Sequence, residues 1–185
     1  MKAEIDSNQE RMAHILEKAK KLKLLILDVD GVLTDGRLYF DNDGTEYKCF
    51  HARDGHGLKL LQKTGVKVAV ISGRKSNSVE LRMKSLGIDY IYQGHEDKLG
   101  AFAELLESVG IAAEQAAYVG DDLLDLPIMK RVGLAIAVND ANFAVRERAD
   151  WCTGLSGGLG AVREVCDLIM QAQGSFGKVL DYYLK

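Results

Sequence analysis

The stretch "KLLILDVDGVLTDGRLYF", residues 23–40, decides the fold. Its four aliphatic residues, Leu24-Leu25-Ile26-Leu27, run straight into Asp28-Val29-Asp30-Gly31. An unbroken apolar run of this length suits a strand covered on both faces, as in a parallel sheet. Two carboxylates one residue apart repel each other, and burial makes them costly unless positive charge lies between them. The rest of the chain must supply that charge.

Working outward, the pattern repeats. Apolar runs at 24–28, 67–71, 90–92, 116–119 and 134–138 read as strands. Helical segments lie between them: one capped by Asn77 and ending near Gly87, then 97–110, 124–132 and 159–172. Ser7 and Glu10 have capping-box spacing, followed by Met12, Ile15, Leu16, Ala19 and Leu22 at helical intervals, so an N-terminal helix is expected within 1–22. The alternation predicts an α/β fold, a Rossmann-like parallel sheet with helices on both faces. Such sheets bind ligands at the carboxyl ends of their strands. Residues 36–50 break the rhythm. Two strand-like runs, 37–40 and 45–50, flank Asp41-Asn42-Asp43-Gly44, which predicts a β-hairpin inserted after the first strand. No linker divides the 185 residues, so a single domain, 1–185, is expected, closing on an aromatic tail at 174–185.

Bulk properties exclude several classes. The chain is 47% hydrophobic, enough for a core, and its net charge of −3 gives no footprint for nucleic acid or an anionic membrane. Cys49, Cys152 and Cys166 are odd in number and scattered, which suits a reducing compartment and not a disulfide scaffold. No apolar leader or span is visible, so a soluble cytoplasmic protein is expected.

Four strand ends carry chemistry: Asp28 with Asp30; Ser72-Gly73-Arg74; Lys98; and Gly120-Asp121-Asp122 with Asp125. A carboxylate such as Asp28 can attack phosphorus. Asp30 can protonate a leaving alcohol and then deprotonate a water. Asp28 and Asp121 offer hard oxygens to Mg2+. Ser72 and Lys98 can stabilise the transferring phosphoryl group. Asp122 and Asp125 either touch the metal or orient its ligands and Lys98. Each motif alone has a plainer reading as a turn, cap or loop; their joint order and placement do not.

Asp28-Val29-Asp30-Gly31-Val32-Leu33-Thr34, Ser72, Lys98 and Gly120-Asp121-Asp122-x-x-Asp125 together resemble the four motifs of the haloacid dehalogenase-like phosphatases. The resemblance implies a Rossmann-like fold, Mg2+, an aspartyl-phosphate on Asp28, and the main-chain carbonyl of Asp30 as a further metal ligand. Only about 40 residues separate the first and second motifs, too few for a cap domain. "HARDGHGLKLL", "ISGRKS" and "QGHEDKL" are similar to the capless, tetrameric group of this family that acts on 3-deoxy-D-manno-octulosonate 8-phosphate. That likeness implies a sugar-acid phosphate substrate bound by Asp30, His51, Ala52, Arg53, Asp54, Gly55, Lys59, Arg74, Arg82 and Lys98. It also implies a homotetramer whose active sites lie at subunit interfaces. His51 and His56 are read as polar substrate contacts or surface histidines in a flexible loop and not as metal ligands. The tail either packs on its own chain or reaches a neighbour. Three alternatives stand beside this reading: a sister phosphatase for another sugar-acid phosphate, such as a sialic-type 9-phosphate, a phospho-accepting receiver-like module, and a catalytically idle scaffold domain, against which stands that no motif residue is missing. The motif order and the presence of Asp30 argue against the receiver.

Overall fold

The computed structural model describes residues 2–95 and 97–185, with side chains described from Gln9 onward. Its elements are α1 (Lys2–Ala19), β1 (Leu24–Leu27), β2 (Tyr39–Phe40), β3 (Glu46–Tyr47), α2 (Ala52–Lys63), β4 (Lys67–Ser72), α3 (Asn77–Ser85), β5 (Tyr90–Gln93), α4 (Lys98–Val109), β6 (Ala116–Gly120), α5 (Leu126–Met129), β7 (Leu134–Ala137), α6 (Phe143–Arg146), β8 (Trp151–Cys152), α7 (Ala161–Ala172) and α8 (Phe176–Tyr183).

The main sheet is parallel throughout, in the order β5-β4-β1-β6-β7-β8. All four residues of β1 are buried, because the sheet is covered on both faces. On one face α1 and α2 pack against α7; on the other α4 packs against α5. After β1 the chain winds through β4 to β5, then crosses back to β6 and winds the opposite way to β8. The β1–β6 junction is therefore the topological switch point, and the loops that leave these two strands flank its crevice.

The hairpin forms as expected but shorter, with Tyr39 opposite Tyr47 and Phe40 opposite Glu46. It makes a sheet of its own, and Leu38, Tyr39, Phe40 and Tyr47 remain exposed.

Several expectations need correction. α1 begins at Lys2, so Ser7 lies inside the helix and does not cap it; the Ser7 side chain is outside the described residues. Ser76, not Asn77, holds the cap position of α3. The segment expected as one helix at 124–132 is a 3-10 turn, Leu123–Asp125, followed by α5 with Pro127 in its first turn. Residues 51–56 are not a flexible loop but the start of α2, in which Gly55 and Gly57 conceal the helical propensity. A Cβ at Gly55 would meet the movable end of the Arg82 side chain, and one at Gly57 would crowd the side chain and backbone of Arg163. β8 is a sixth strand that its two residues did not announce.

Candidate active site

Every strand of a parallel sheet ends on the same edge, so Asp28, Ser72 and Asp121 emerge together. β1 pairs with β4 and β6 so that Leu27 lies beside Val70 and Val119. The amide of Asp28 extends this ladder by donating to the Val119 carbonyl at 3.0 Å. The chain then turns sharply. Thr34 is buried, and its hydroxyl accepts from the Gly31 and Gly36 amides, which holds the turn. Gly31 sits at φ +92°, and a Cβ there would collide with the Asp121 carboxylate. Glycine is therefore what lets the first and fourth motifs touch.

Asp28 is 8% exposed, and its Oδ1 lies 2.9 Å from Lys98 Nζ. Lys98 is the first residue of α4, where the helix dipole disfavours a cation. Carboxylates reverse that preference: Lys98 also donates to Asp125 Oδ1 at 2.7 Å, and burial alone would lower its pKa, but Asp28 and Asp125 hold it above the ordinary lysine value. Asp125 is fully buried and entirely engaged. Its Oδ1 accepts from Lys98 and from the Tyr118 hydroxyl at 2.7 Å; its Oδ2 accepts the amides of Asp121 and Asp122 at 2.8 and 3.1 Å. Asp122 is exposed, and its side chain caps the following turn by accepting from the Leu123 amide.

Asp28, Asp121 and Asp125 present oxygens within 4.8 Å of one another. Since Asp125 is spent on hydrogen bonds, Asp28 and Asp121 are the carboxylates available to a cation. Asp121 Oδ1 is buried without a hydrogen-bond partner. Burial, then repulsion from Asp28, Asp125 and Asp122, pushes the Asp121 carboxyl up to about 8. Burial and Asp125 raise Asp28 to about 6 despite Lys98. Such crowding marks a place short of positive charge, and an oxygen-only donor set fits Mg2+.

Asp30 faces the hairpin. Its Oδ1 accepts from Lys48 Nζ, while its Oδ2 is buried with no hydrogen-bond partner, 3.8 Å from Arg74 Nε. Glu46 bridges the two cations, accepting from Arg74 at 2.6 Å and lying 3.4 Å from Lys48 Nζ. Ser72 is buried at the end of β4, and its Oγ accepts from the Arg74 amide at 3.3 Å.

Among the described residues, none of the other expected contacts forms a hydrogen bond or ion pair with these side chains. Asp54 is buried; its Oδ1 accepts the Arg163 amide at 2.8 Å and so serves the N-terminus of α7, whose own cap residue, Gly160, has no side chain. His51 Nδ1 stands 3.9 Å from Asp54 Oδ2, and both atoms lack partners. Arg53 lines a groove of about 800 Å³ with Met12, Leu16, Trp151 and Arg163. Arg82 lies over Gly55; Ala52 and Lys59 are exposed on α2. His56 Nε2 is 3.0 Å from the Tyr183 hydroxyl, which ties α2 to α8, and the tail packs in part on its own chain through Phe176 and Val179. Sequence reasoning missed Lys48, Glu46 and Tyr118: the first two read as hairpin surface, the third as strand core.

Residues 90–162 match the family described as haloacid dehalogenase-like hydrolase. The chain is 53% identical over 161 residues to the 3-deoxy-D-manno-octulosonate 8-phosphate phosphatase of Salmonella typhi, covering 87% of this chain and 86% of that one. It is 52% identical over 162 residues to the enzyme of the same name from Escherichia coli K12, covering 88% and 86%. Among solved structures, the 3-deoxy-D-manno-octulosonate 8-phosphate phosphatase of Moraxella catarrhalis, in complex with a magnesium ion, a phosphate ion and a KDO molecule, superposes with a TM-score of 0.89 at 43% identity, over 91% of this chain and 97% of that one. With this identity and coverage, the chain belongs to the 3-deoxy-D-manno-octulosonate 8-phosphate phosphatase family of haloacid dehalogenase-like hydrolases.

Proposed function

We propose that this protein is a Mg2+-dependent phosphatase that cleaves 3-deoxy-D-manno-octulosonate 8-phosphate into the free sugar acid and phosphate, a step of lipopolysaccharide biosynthesis. The observation that carries the reading is the Asp28 carboxylate at the switch point, held 2.9 Å from Lys98 beside the unpartnered oxygen of Asp121. The identity to enzymes named for this reaction supports the substrate.

The chemistry divides into two displacements. An Asp28 oxygen attacks phosphorus while the bond from phosphorus to the sugar oxygen breaks, and Asp30 gives its proton to the departing alkoxide. Asp30, now a carboxylate, takes a proton from a water whose oxygen attacks the aspartyl-phosphate. The phosphorus–Asp28 bond breaks, and phosphate leaves with Asp28 regenerated. Ser72 donates to a phosphoryl oxygen, and Lys98 keeps Asp28 ionised and balances charge on the transferring group. Bound by Asp28, Asp121 and the main-chain carbonyl of Asp30, Mg2+ supplies the charge that lets an anionic nucleophile meet an anionic ester. Asp125 orients Lys98, and Asp122 shapes the turn after Asp121.

Arg53, Arg74 and Arg82 are assigned to the anionic sugar acid, with His51, Ala52, Asp54, Gly55 and Lys59 as further contacts. Within one copy Arg53 and Lys59 form no hydrogen bond or ion pair with Asp30, and the exposed hairpin carries Leu38, Tyr39, Phe40 and Tyr47. Both facts favour a homotetramer in which a neighbour completes each site. Three unpaired cysteines suit the cytoplasm, and no described helix is long and apolar enough to cross a membrane.

Phosphate release should be measured from the octulosonate 8-phosphate, sialic-type 9-phosphates, hexose phosphates and p-nitrophenyl phosphate, each with Mg2+ and with EDTA. Strong Mg2+-dependent preference for the octulosonate is expected. Equal rates on all esters would remove the substrate and leave the mechanism.

A further inference from the structure

Each of the paired carboxylates that end β1 has its own buried lysine. Lys98, on the sheet side, serves Asp28; Lys48, on the hairpin side, serves Asp30. Their side chains are 3% and 2% exposed, unlike the ion-paired lysines of the surface, Lys18, Lys20 and Lys84, at 30%, 51% and 64%. Burying an ammonium just beyond the last strand of a small exposed hairpin is costly, so its position is held by a specific partner. The partner is Asp30 Oδ1, with Glu46 Oε1 at 3.4 Å as a second carboxylate.

A carboxylate rotates about its last bond, and a proton carrier must present one defined oxygen to the reacting ester. Lys48 engages Oδ1 and leaves Oδ2 buried and unpartnered. Arg74 Nε stands 3.8 Å from that free oxygen, too far to occupy it. Glu46 ties Lys48 to Arg74 through a 2.6 Å hydrogen bond from the guanidinium, so the hairpin also sets the distance between the proton carrier and a cation assigned to the sugar acid.

We propose that Lys48 is a positioning residue for the leaving-group side of the reaction: by holding one oxygen of Asp30, it aims the other at the ester oxygen. This rests on the phosphatase reading above. Lys48 touches neither phosphorus nor Asp28, so its loss acts on departure of the alcohol and not on attack.

Leaving-group dependence separates this role from a structural one. A sugar alkoxide needs the proton of Asp30; p-nitrophenolate leaves without it. Because kcat/KM reports steps only through departure of the first product, it is the quantity to compare. Lys48→Met keeps the apolar stem and removes the charge. It is expected to lower kcat/KM for the octulosonate 8-phosphate by roughly 100-fold, and for p-nitrophenyl phosphate by less than about tenfold. Its thermal shift by Mg2+ should match that of the wild type. Lys48→Arg, which keeps a charged donor, should recover most of the loss. Equal losses on both esters, or a lost Mg2+ shift, would overturn the positioning role; so would no loss on either. If the wild-type chain releases phosphate from neither ester, the phosphatase reading itself fails and takes this one with it.

Discussion

On the sheet side of the site, Asp28 meets a lysine fixed by Asp125 and Tyr118, all of them buried where the parallel strands end. On the hairpin side, Asp30 meets a lysine carried beyond a two-residue strand, with partners Glu46 and Arg74 that are 16% and 46% exposed. One half is over-determined: remove any hydrogen bond and several others still hold the geometry. The other half depends on a few ion pairs attached to a sheet of only two strands, which has little stability by itself. The division matches the chemistry. Attack on phosphorus is the same for every ester and suits a rigid cradle, whereas the leaving group is what differs between substrates.

The comparison breaks most sharply at Asp28. Asp28→Asn should preserve the fold and lower turnover by at least about 10⁴-fold, since the amide cannot attack phosphorus. Substantial residual phosphate release would remove the sheet side from the reaction.

A stability contrast follows. Lys98→Met strips Asp28, Asp121 and Asp125 of their buried cation and should cost about 3–5 kcal/mol, read from denaturant unfolding without metal. A loss under about 1 kcal/mol would show that the cluster is solvated and not buried as described.

Charge crowding on the sheet side also sets a pH dependence. Asp121 at about 8 and Asp28 at about 6 both lie above the ordinary 3.8. The folded metal-free protein therefore holds protons that the unfolded chain releases. Stability from these groups is fully present below about pH 4 and is lost as pH rises through about 6 and about 8. A cation must displace those protons, so the rise in Tm on adding Mg2+ should be larger at about pH 8.5 than at about pH 6. The opposite trend would mean that neither carboxylate binds the metal.

The smallest effect belongs to the hairpin tip. Phe40 is 57% exposed, so Phe40→Ser should change stability by less than about 0.5 kcal/mol. Sedimentation should nonetheless show weakened assembly if this tip is a subunit contact. An unchanged oligomer would leave the hairpin with the positioning role alone.

The same contrast explains what could be read from the residues beforehand. β1 and its aspartates were legible because four aliphatic residues ending in two carboxylates conflict with ordinary burial, and the conflict demands a partner. Lys98 was legible by its place after a strand. Lys48 was not: a lysine beside a hairpin is ordinarily solvated, and only the fold buries it. Tyr118 was hidden for the opposite reason, since an aromatic inside a strand looks like core and its hydroxyl bond to Asp125 is a tertiary fact. α2 was obscured by Gly55 and Gly57, two poor helix formers that lie against Arg82 and Arg163. Two residues are too few to carry a periodic signal, so β8 left no trace.

The most direct test of the central claim is to find the phosphoryl group on the protein. The wild-type enzyme would be quenched during turnover of the octulosonate 8-phosphate with Mg2+ and reduced with borohydride, which converts phosphoryl-aspartate to homoserine; peptides would then be mapped by mass spectrometry. The account predicts homoserine at position 28, dependent on both substrate and Mg2+. Homoserine at position 30 or 121 instead, or a quenched enzyme that turns over substrate yet carries none, would contradict it.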